Sequence, residues 1–259
     1  MEYKYIEYTS KDRIGYITMN RPEKRNALSH DLVSELKNAF TNAEEDDQIK
    51  VVILKARGEA FCAGADLEFL QQLQGFSYDQ NLADSTHLKE LFLKIYELKK
   101  VVIAQVQGHA LAGGCGLATV CDFIFAVPEA KFGYTEVKIG FVPAIVMVFL
   151  LRKLGESKAK ELLLTGNLLL AEEAKSIGIV NQVVSKDRLH KEVQKFAANL
   201  VKSNSGNSMS ITKQMVSKVQ SLPLKDALTF AAEINAKTRA SDDLKKGITA
   251  FLKKEKITW

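Results

Sequence analysis

Along the first half of the chain, short β-branched and apolar runs alternate with stretches in which apolar positions return every three or four residues. Tyr3 to Tyr8 and Arg13 to Met19, separated by Ser10-Lys11-Asp12, read as a hairpin. Val51 to Ala56, Val101 to Gln107 and Phe123 to Val127 read as buried strands, with helical periodicity over 30–46 and 82–98 between them. Strand, helix and strand in succession predict crossover units and a largely parallel arrangement. From about residue 145 the pattern is helical, interrupted by a short strand at Ile179 to Val184, with helices over 187–202, 206–220, 224–238 and 241–254. Asp187 and Ser205 stand at expected helix starts, where a side-chain oxygen accepts from a free first-turn amide. The longest apolar run, Phe141 to Leu151, would reach about 16 Å as a helix, half of a ~30 Å bilayer core, and so reads as a buried segment.

Composition narrows the class. With 259 residues, 46% apolar and 26% charged, the chain can bury a full core, which excludes disorder and small disulfide-stapled scaffolds. No Pro/Gly/Ser-rich linker divides it. The net charge of +5 comes from 36 basic residues mixed among 31 acidic ones, a pattern that argues against nucleic acid as a partner. Cys62, Cys115 and Cys121 form no C-x-x-C pair and point to a reducing compartment. Met1 to Ser10 lacks the charged start and apolar core of a signal, so a cytoplasmic protein without a membrane partner is expected. His30, His87, His109 and His190 are dispersed, and no metal site is expected.

Two glycine-containing loops follow predicted strands. Gly108 to Gly116 leads from a strand into a helical pattern, and glycines there either expose backbone amides or allow close helix packing. It spells neither a phosphate-binding Gly-Lys-Ser/Thr loop nor the G-x-G-x-x-G fingerprint. Gly58 to Asp66 is the second loop. At the ends of neighbouring parallel strands, one amide from each would meet at a single oxygen and form an oxyanion hole.

Read together, Asn20 to Leu28, Ala60 to Leu67, Gln107 to Leu117, Cys121-Asp122, Phe132 to Gly140 and Ala171 to Asn181 resemble the crotonase, or enoyl-CoA hydratase/isomerase, superfamily. The likeness covers essentially the whole chain. It implies an α/β fold in which ββα turns form a spiral core, here residues 1–200, followed by C-terminal helices, 201–259, that assemble a homotrimer or a dimer of trimers. It also implies an acyl-CoA thioester substrate, with no cofactor beyond the coenzyme A that the substrate carries. On that likeness the thioester oxygen would be held by the amides of Ala65 and Gly113. Coenzyme A would lie along Lys24, Arg25 and Ala27, with adenine near Ala63 and the Asp66-Leu67 turn. Phe251 and Lys254 would complete this site, in some relatives from a neighbouring subunit.

The family pattern carries two glutamates, of which only Glu136 is present; the other position is Gly116. Glycine in a helix costs about 1 kcal/mol relative to alanine, so Gly116 has another reason, either room for a bulkier acyl group or close helix packing. The segment Gly133 to Val146 is more similar to bacterial methylglutaconyl-CoA hydratases than to ordinary hydratases. Hydration with Glu136 as acid and base is the leading expectation. Isomerisation by the same carboxylate, from C2 to C4, stays open, as does a non-catalytic acyl-CoA or RNA binder. His87, His109, Tyr134 and Lys138 are candidate helpers, with His109 and Asp122 expected to be structural. Gln71 to Gln80 is expected to be a mobile cover over the acyl pocket.

Overall fold

The computed structural model describes residues 3–259 except for the side chain of Leu67, and Met1 and Glu2 lie outside it. Strands β1 (Ile6–Lys11) and β2 (Ile14–Met19) form the predicted hairpin. Its turn is Asp12-Arg13, with both residues at positive φ (52° and 65°), the conformation whose twist matches a two-residue hairpin. Ser10 and Lys11 therefore belong to the strand. Helix α1 (His30–Glu45) starts at Ser29, whose side chain accepts from the Leu32 amide, and it turns Leu32, Leu36, Ala39, Phe40 and Ala43 into the core.

The chain continues through β3 (Val51–Ala56), α2 (Leu67–Leu73), α3 (Tyr78–Glu97), β4 (Val101–Val106), β5 (Ala110–Leu111) and α4 (Gly113–Thr119). After β6 (Phe123–Ala126) and β7 (Lys131–Gly133) comes a 3₁₀ turn over Glu136–Ile139, then α5 (Ala144–Thr165), which bends at Gly155. The remaining elements are β8 (Leu169–Leu170), α6 (Ala171–Ser176), β9 (Gln182–Val183), α7 (Lys186–Ser203), α8 (Gly206–Val219), α9 (Leu224–Arg239) and α10 (Asp242–Lys253). The larger sheet runs β1-β2-β3-β4-β6-β9, parallel after the hairpin, and a smaller sheet runs β5-β7-β8. Single parallel bridges, Leu28 to Ala65 and Cys62 to Ala110, carry the second layer back towards the N-terminus. Each turn thus places one strand in the large sheet, a short piece in the second layer and then a helix. That repetition is a ββα spiral.

Three expectations change. Gln71 to Gln80 is not one loop: α2 runs to Leu73, and a capping box between Ser77 and Gln80 starts α3 at Tyr78. Asp187 lies inside α7, whose cap position is Ser185, whereas Ser205 does cap α8 by accepting from the Ser208 amide at 2.9 Å. Phe141 to Leu151 is only half buried. Val146 and Leu150 face the core, while Phe141 (55% exposed) and Val142 (62%) do not, because the outer side of α5 and its leading loop has no partner among the described residues.

The last three helices stand apart from the other long ones, since α8, α9 and α10 contain no buried residue. Their main polar tie is Lys213, whose Nζ reaches Asp122 Oδ2 at 2.7 Å and the carbonyls of Ile95 and Lys100 at 3.1 Å. No helix among the described residues is long and apolar enough to cross a membrane.

Candidate active site

The second layer of the spiral assembles the site. Leu28 N donates to Gly64 O at 2.7 Å and Asp66 N to Leu28 O at 3.2 Å, so the intervening Ala65 N–H is left facing away from that bridge. One turn further, Leu111 N donates to Cys62 O at 3.0 Å and Ala112 N to Gly133 O at 2.7 Å. Gly113 then opens α4, where a first-turn amide has no acceptor within its helix. The two loops touch. A Cβ on Gly64, which sits at φ +97°, would stand 2.9 Å from Ala112 Cβ, 3.0 Å from Leu111 O and 3.6 Å from Gly113 N. Glycine is required there both for conformation and for approach. Ala112 itself holds φ 49° and ψ −127°, a strained setting for a residue with a side chain, directly before the free amide of Gly113.

Glu136 enters from the neighbouring strand. β7 pairs with β5 through Phe132–Ala110 and Gly133–Leu111, and buried Tyr134 follows. Tyr134 Oη lies 2.9 Å from Thr119 Oγ1, so the segment leading to Glu136 is tied to both ends of α4: Gly133 to Ala112 and Tyr134 to Thr119. Glu136 is only 8% exposed, and its Oε2 is buried without a hydrogen-bond partner among the described residues. Burial raises its pKa above the ordinary glutamate value, opposed only by a hydrogen bond from its own backbone. A buried carboxylate with one unpartnered oxygen that holds a proton more tightly than usual is suited to proton transfer.

The groups around it are neutral. Burial pushes the Cys115 thiol up to about 11 and the Tyr134 phenol well above its usual value. Cys62 and Cys121 are likewise pushed up to about 12, so none of the three buried thiols is poised as a nucleophile. Lys153 Nζ caps the far end of α4 by donating to Thr119 O (2.9 Å) and Cys121 O (3.2 Å), a cation at the negative end of the helix.

The loop expected to meet coenzyme A is braced from beneath. Arg25 and Asn26 both have positive φ. Fully buried Asn26 accepts from Arg21 N and donates to Arg57 O and Ala60 O, all at 2.9 Å. Arg21 pairs with Asp66 at 2.6 Å and also reaches Ala27 O at 3.3 Å. Burial raises the Asp66 pKa, but the Arg21 pair and amide bonds from Glu68 and Phe69 outweigh it and hold Asp66 below the usual carboxylate range. Asp66 thereby caps α2 and braces the loop. Ala63 N is taken by Arg25 O at 3.1 Å, and Lys24 is exposed and ion-paired with Glu68. The backbone of Leu67 opens α2, and its side chain lies outside the described residues.

Several expected residues sit elsewhere or act differently. Phe251 is 82% exposed and lines a cleft of about 1070 Å³ among α8, α9, α10 and the first residues of β4 and β6. Lys254 ends α10, and within one chain neither residue joins the Lys24 to Ala27 loop or Glu136 in that lining. Gly116 offers no room: a Cβ there would fall 2.2 Å from Val146 Cγ1 and 2.9 Å from Val146 Cβ, so close helix packing explains it. His109 Nδ1 accepts from Lys131 N at 3.3 Å and is structural, as is Asp122, which accepts from Val102 N at 2.7 Å. His87 stacks on His30 at 4.3 Å between α3 and α1, and Lys138 is exposed with its stem over Gly166. Sequence reading did not single out Arg21, Asn26, Thr119 or Val146 as site-building residues. Asn26 within Arg-Asn-Ala was the one legible signal, since Asn tolerates the left-handed turn that the loop takes. Among the described residues no three His, Cys, Asp or Glu side chains converge as metal ligands.

A layered spiral with two free amides and one buried glutamate has the groups to polarise an oxygen and to move a proton, and comparison with known proteins identifies the family. Residues 9–259 match the family model described as Enoyl-CoA hydratase/isomerase. A Thermus thermophilus protein is 41% identical over 244 residues, spanning 94% of this chain and 96% of its own. The crotonyl-CoA hydratase of Syntrophomonas wolfei is 34% identical over 261 residues, spanning 100% and 99%. The crystal structure of an enoyl-CoA hydratase from Mycobacterium smegmatis superposes with a TM-score of 0.93 at 29% identity, covering 99% of each chain. The chain belongs to the enoyl-CoA hydratase/isomerase family and has its crotonase fold.

Proposed function

We propose that this protein adds water to the double bond of a 2-enoyl-CoA, with Glu136 as both base and acid. Glu136 carries the reading: a buried carboxylate with one unpartnered oxygen and a raised pKa, three residues beyond the strand that also fixes the Gly113 loop. Relatives named as hydratases support the reaction class. The thioester oxygen sits between the amides of Ala65 and Gly113, and charge building on it as an enolate is stabilised there; losing one such donor costs about 3 to 4 kcal/mol. Glu136 takes a proton from water as oxygen bonds to C3 and returns a proton to C2. Lys24 and Arg25 meet the phosphates of coenzyme A, and backbone at Ala63 meets the adenine.

The finer proposal is 3-methylglutaconyl-CoA as substrate, on the likeness of the Gly133 to Val146 segment to hydratases of that compound. Isomerisation is the second reading, favoured by the solitary carboxylate, because one group can move a proton from C2 to C4. The exposed apolar positions of α9 and α10, including Leu224, Leu228, Ile248 and Leu252, support self-association of residues 201–259 into a trimer or a dimer of trimers. Three unpaired, buried cysteines suit the cytoplasm.

A mass-resolved turnover panel tests these readings with crotonyl-CoA, a 3-enoyl-CoA and 3-methylglutaconyl-CoA. Addition of one water, chiefly to methylglutaconyl-CoA, is expected. Hydration of crotonyl-CoA alone would remove the finer substrate, double-bond migration without mass change would make the protein an isomerase, and no conversion would leave a binding role.

A further inference from the structure

The absence of a side chain at Gly116 and the presence of one at Val146 are two halves of a single contact. Gly116 lies in the middle of α4, three residues beyond the free amide of Gly113 and three before Thr119, whose hydroxyl lies 2.9 Å from that of Tyr134, two residues ahead of Glu136. Val146 is in the first turn of α5, the helix that follows the Glu136 turn, and it is buried. Its Cγ1 occupies the place of a Cβ at residue 116 at 2.2 Å. Rotating the valine does not clear the clash, because Val146 Cβ, fixed to the backbone, is itself 2.9 Å away. The next nearest atom, Phe92 Cε2 at 3.4 Å, is at ordinary contact distance. With the backbone as it stands, a side chain at 116 therefore fits only where residue 146 has none.

We infer that Gly116 and Val146 form a reciprocal pair that sets the shape and chemistry of the acyl pocket beside Glu136. The valine methyl is the pocket wall, so its size, and not the glycine, limits branching of the acyl group. The same methyl keeps a second carboxylate out, leaving Glu136 as the sole proton carrier. The packing half is independent of any reaction, whereas the pocket half rests on the acyl-CoA reading above.

Thermal unfolding without ligand tests the pair. Gly116→Ala should lower the midpoint by about 3 to 10 °C, as overpacking does, and adding Val146→Gly should recover most of that loss although glycine alone weakens α5. A Gly116→Ala protein that melts like the parent, or a double variant no better than the single, would overturn the reciprocity. Calorimetric binding of two saturated probes, butyryl-CoA and isovaleryl-CoA, then tests the wall without needing turnover. Val146→Ala should shift the ratio of their affinities about tenfold towards the branched probe. An unchanged ratio with both probes bound rejects Val146 as the wall. Neither probe binding the parent would reject the acyl-CoA reading and the wall with it, while the melting result stands by itself. Finally, Gly116→Glu with Val146→Gly should fold and, in enoyl-CoA turnover, add a second ionisation to the pH–rate profile; a profile identical to that of Val146→Gly alone would show that residue 116 does not face the reacting atoms.

Discussion

Helices α4 and α10 each carry apolar residues at helical spacing, yet they end in opposite surroundings. In α4, Gly114 to Thr119 are all buried, and its ends are tied to β7 and to Lys153. In α10, Leu244, Ile248, Phe251 and Leu252 form a stripe that the other described residues cover only in part, with Phe251 82% and Leu252 74% exposed. Burying one such side chain contributes about 1.5 to 3 kcal/mol, so the stripe holds a large stabilisation that one chain does not use. The difference separates two kinds of residue. Around α4 the chain's own packing places the groups proposed to react, whereas α8 to α10 are attached by a few polar ties and present apolar surface outwards.

That contrast breaks most sharply at Glu136. Glu136→Gln should lower kcat about 1000-fold, within the range for a lost general acid–base group, while acyl-CoA affinity measured by calorimetry stays close to that of the parent. It should also melt at or above the parent temperature at neutral pH. The sign follows from the raised folded-state pKa: Glu136 contributes most below its unfolded value near 4.5, and stability falls as pH rises through the folded value, so an uncharged amide escapes that loss. A Gln variant that melts well below the parent would mean that the carboxylate braces the fold.

Next in size is the tie between the two regions. Lys213→Met leaves Asp122 without its cation and should cost about 3 kcal/mol in urea unfolding. Hydrogen exchange should then rise in α8 to α10 before it rises in α4. Simultaneous loosening of both would show that they are one cooperative unit. Tyr134→Phe removes the hydroxyl that meets Thr119 and should cost about 1 kcal/mol. Because that contact helps aim Glu136, kcat should fall while KM holds, and an equal loss in both would count against a positioning role. The smallest effect on the single chain is expected from Leu252→Ser, within about 0.5 kcal/mol in unfolding measured at dilutions where the chain is monomeric. The same change should shift sedimentation towards smaller species, and an unchanged profile would take α10 out of the assembly surface.

Much of this architecture is legible in the chain. The strands from Val51 and Val101 and the helix from His30 announce themselves because side-chain direction repeats every 2 or 3.6 residues, a local property. The glycine loops before Ala65 and Gly113 are visible for a similar reason, since few other residues take a positive φ or allow so close an approach. The misreadings share the opposite cause. Phe141 to Leu151 looks buried because hydrophobicity does not say which faces find a neighbour, and Asp187 looks like a cap because Ser185 suits the same position.

The strand and helix periods and the two glycine loops thus follow from short-range rules that act along the backbone, whereas Glu136 stands out in the sequence only by its likeness to the family pattern. Depth and reciprocity do not follow from such rules. That Glu136 Oε2 is buried without a partner, that Asn26 and Arg21 brace one loop, and that Val146 fills the space above Gly116 depend on atoms brought together from distant positions. Such contacts obey volume and hydrogen-bond satisfaction in three dimensions, which no repeat along the chain records.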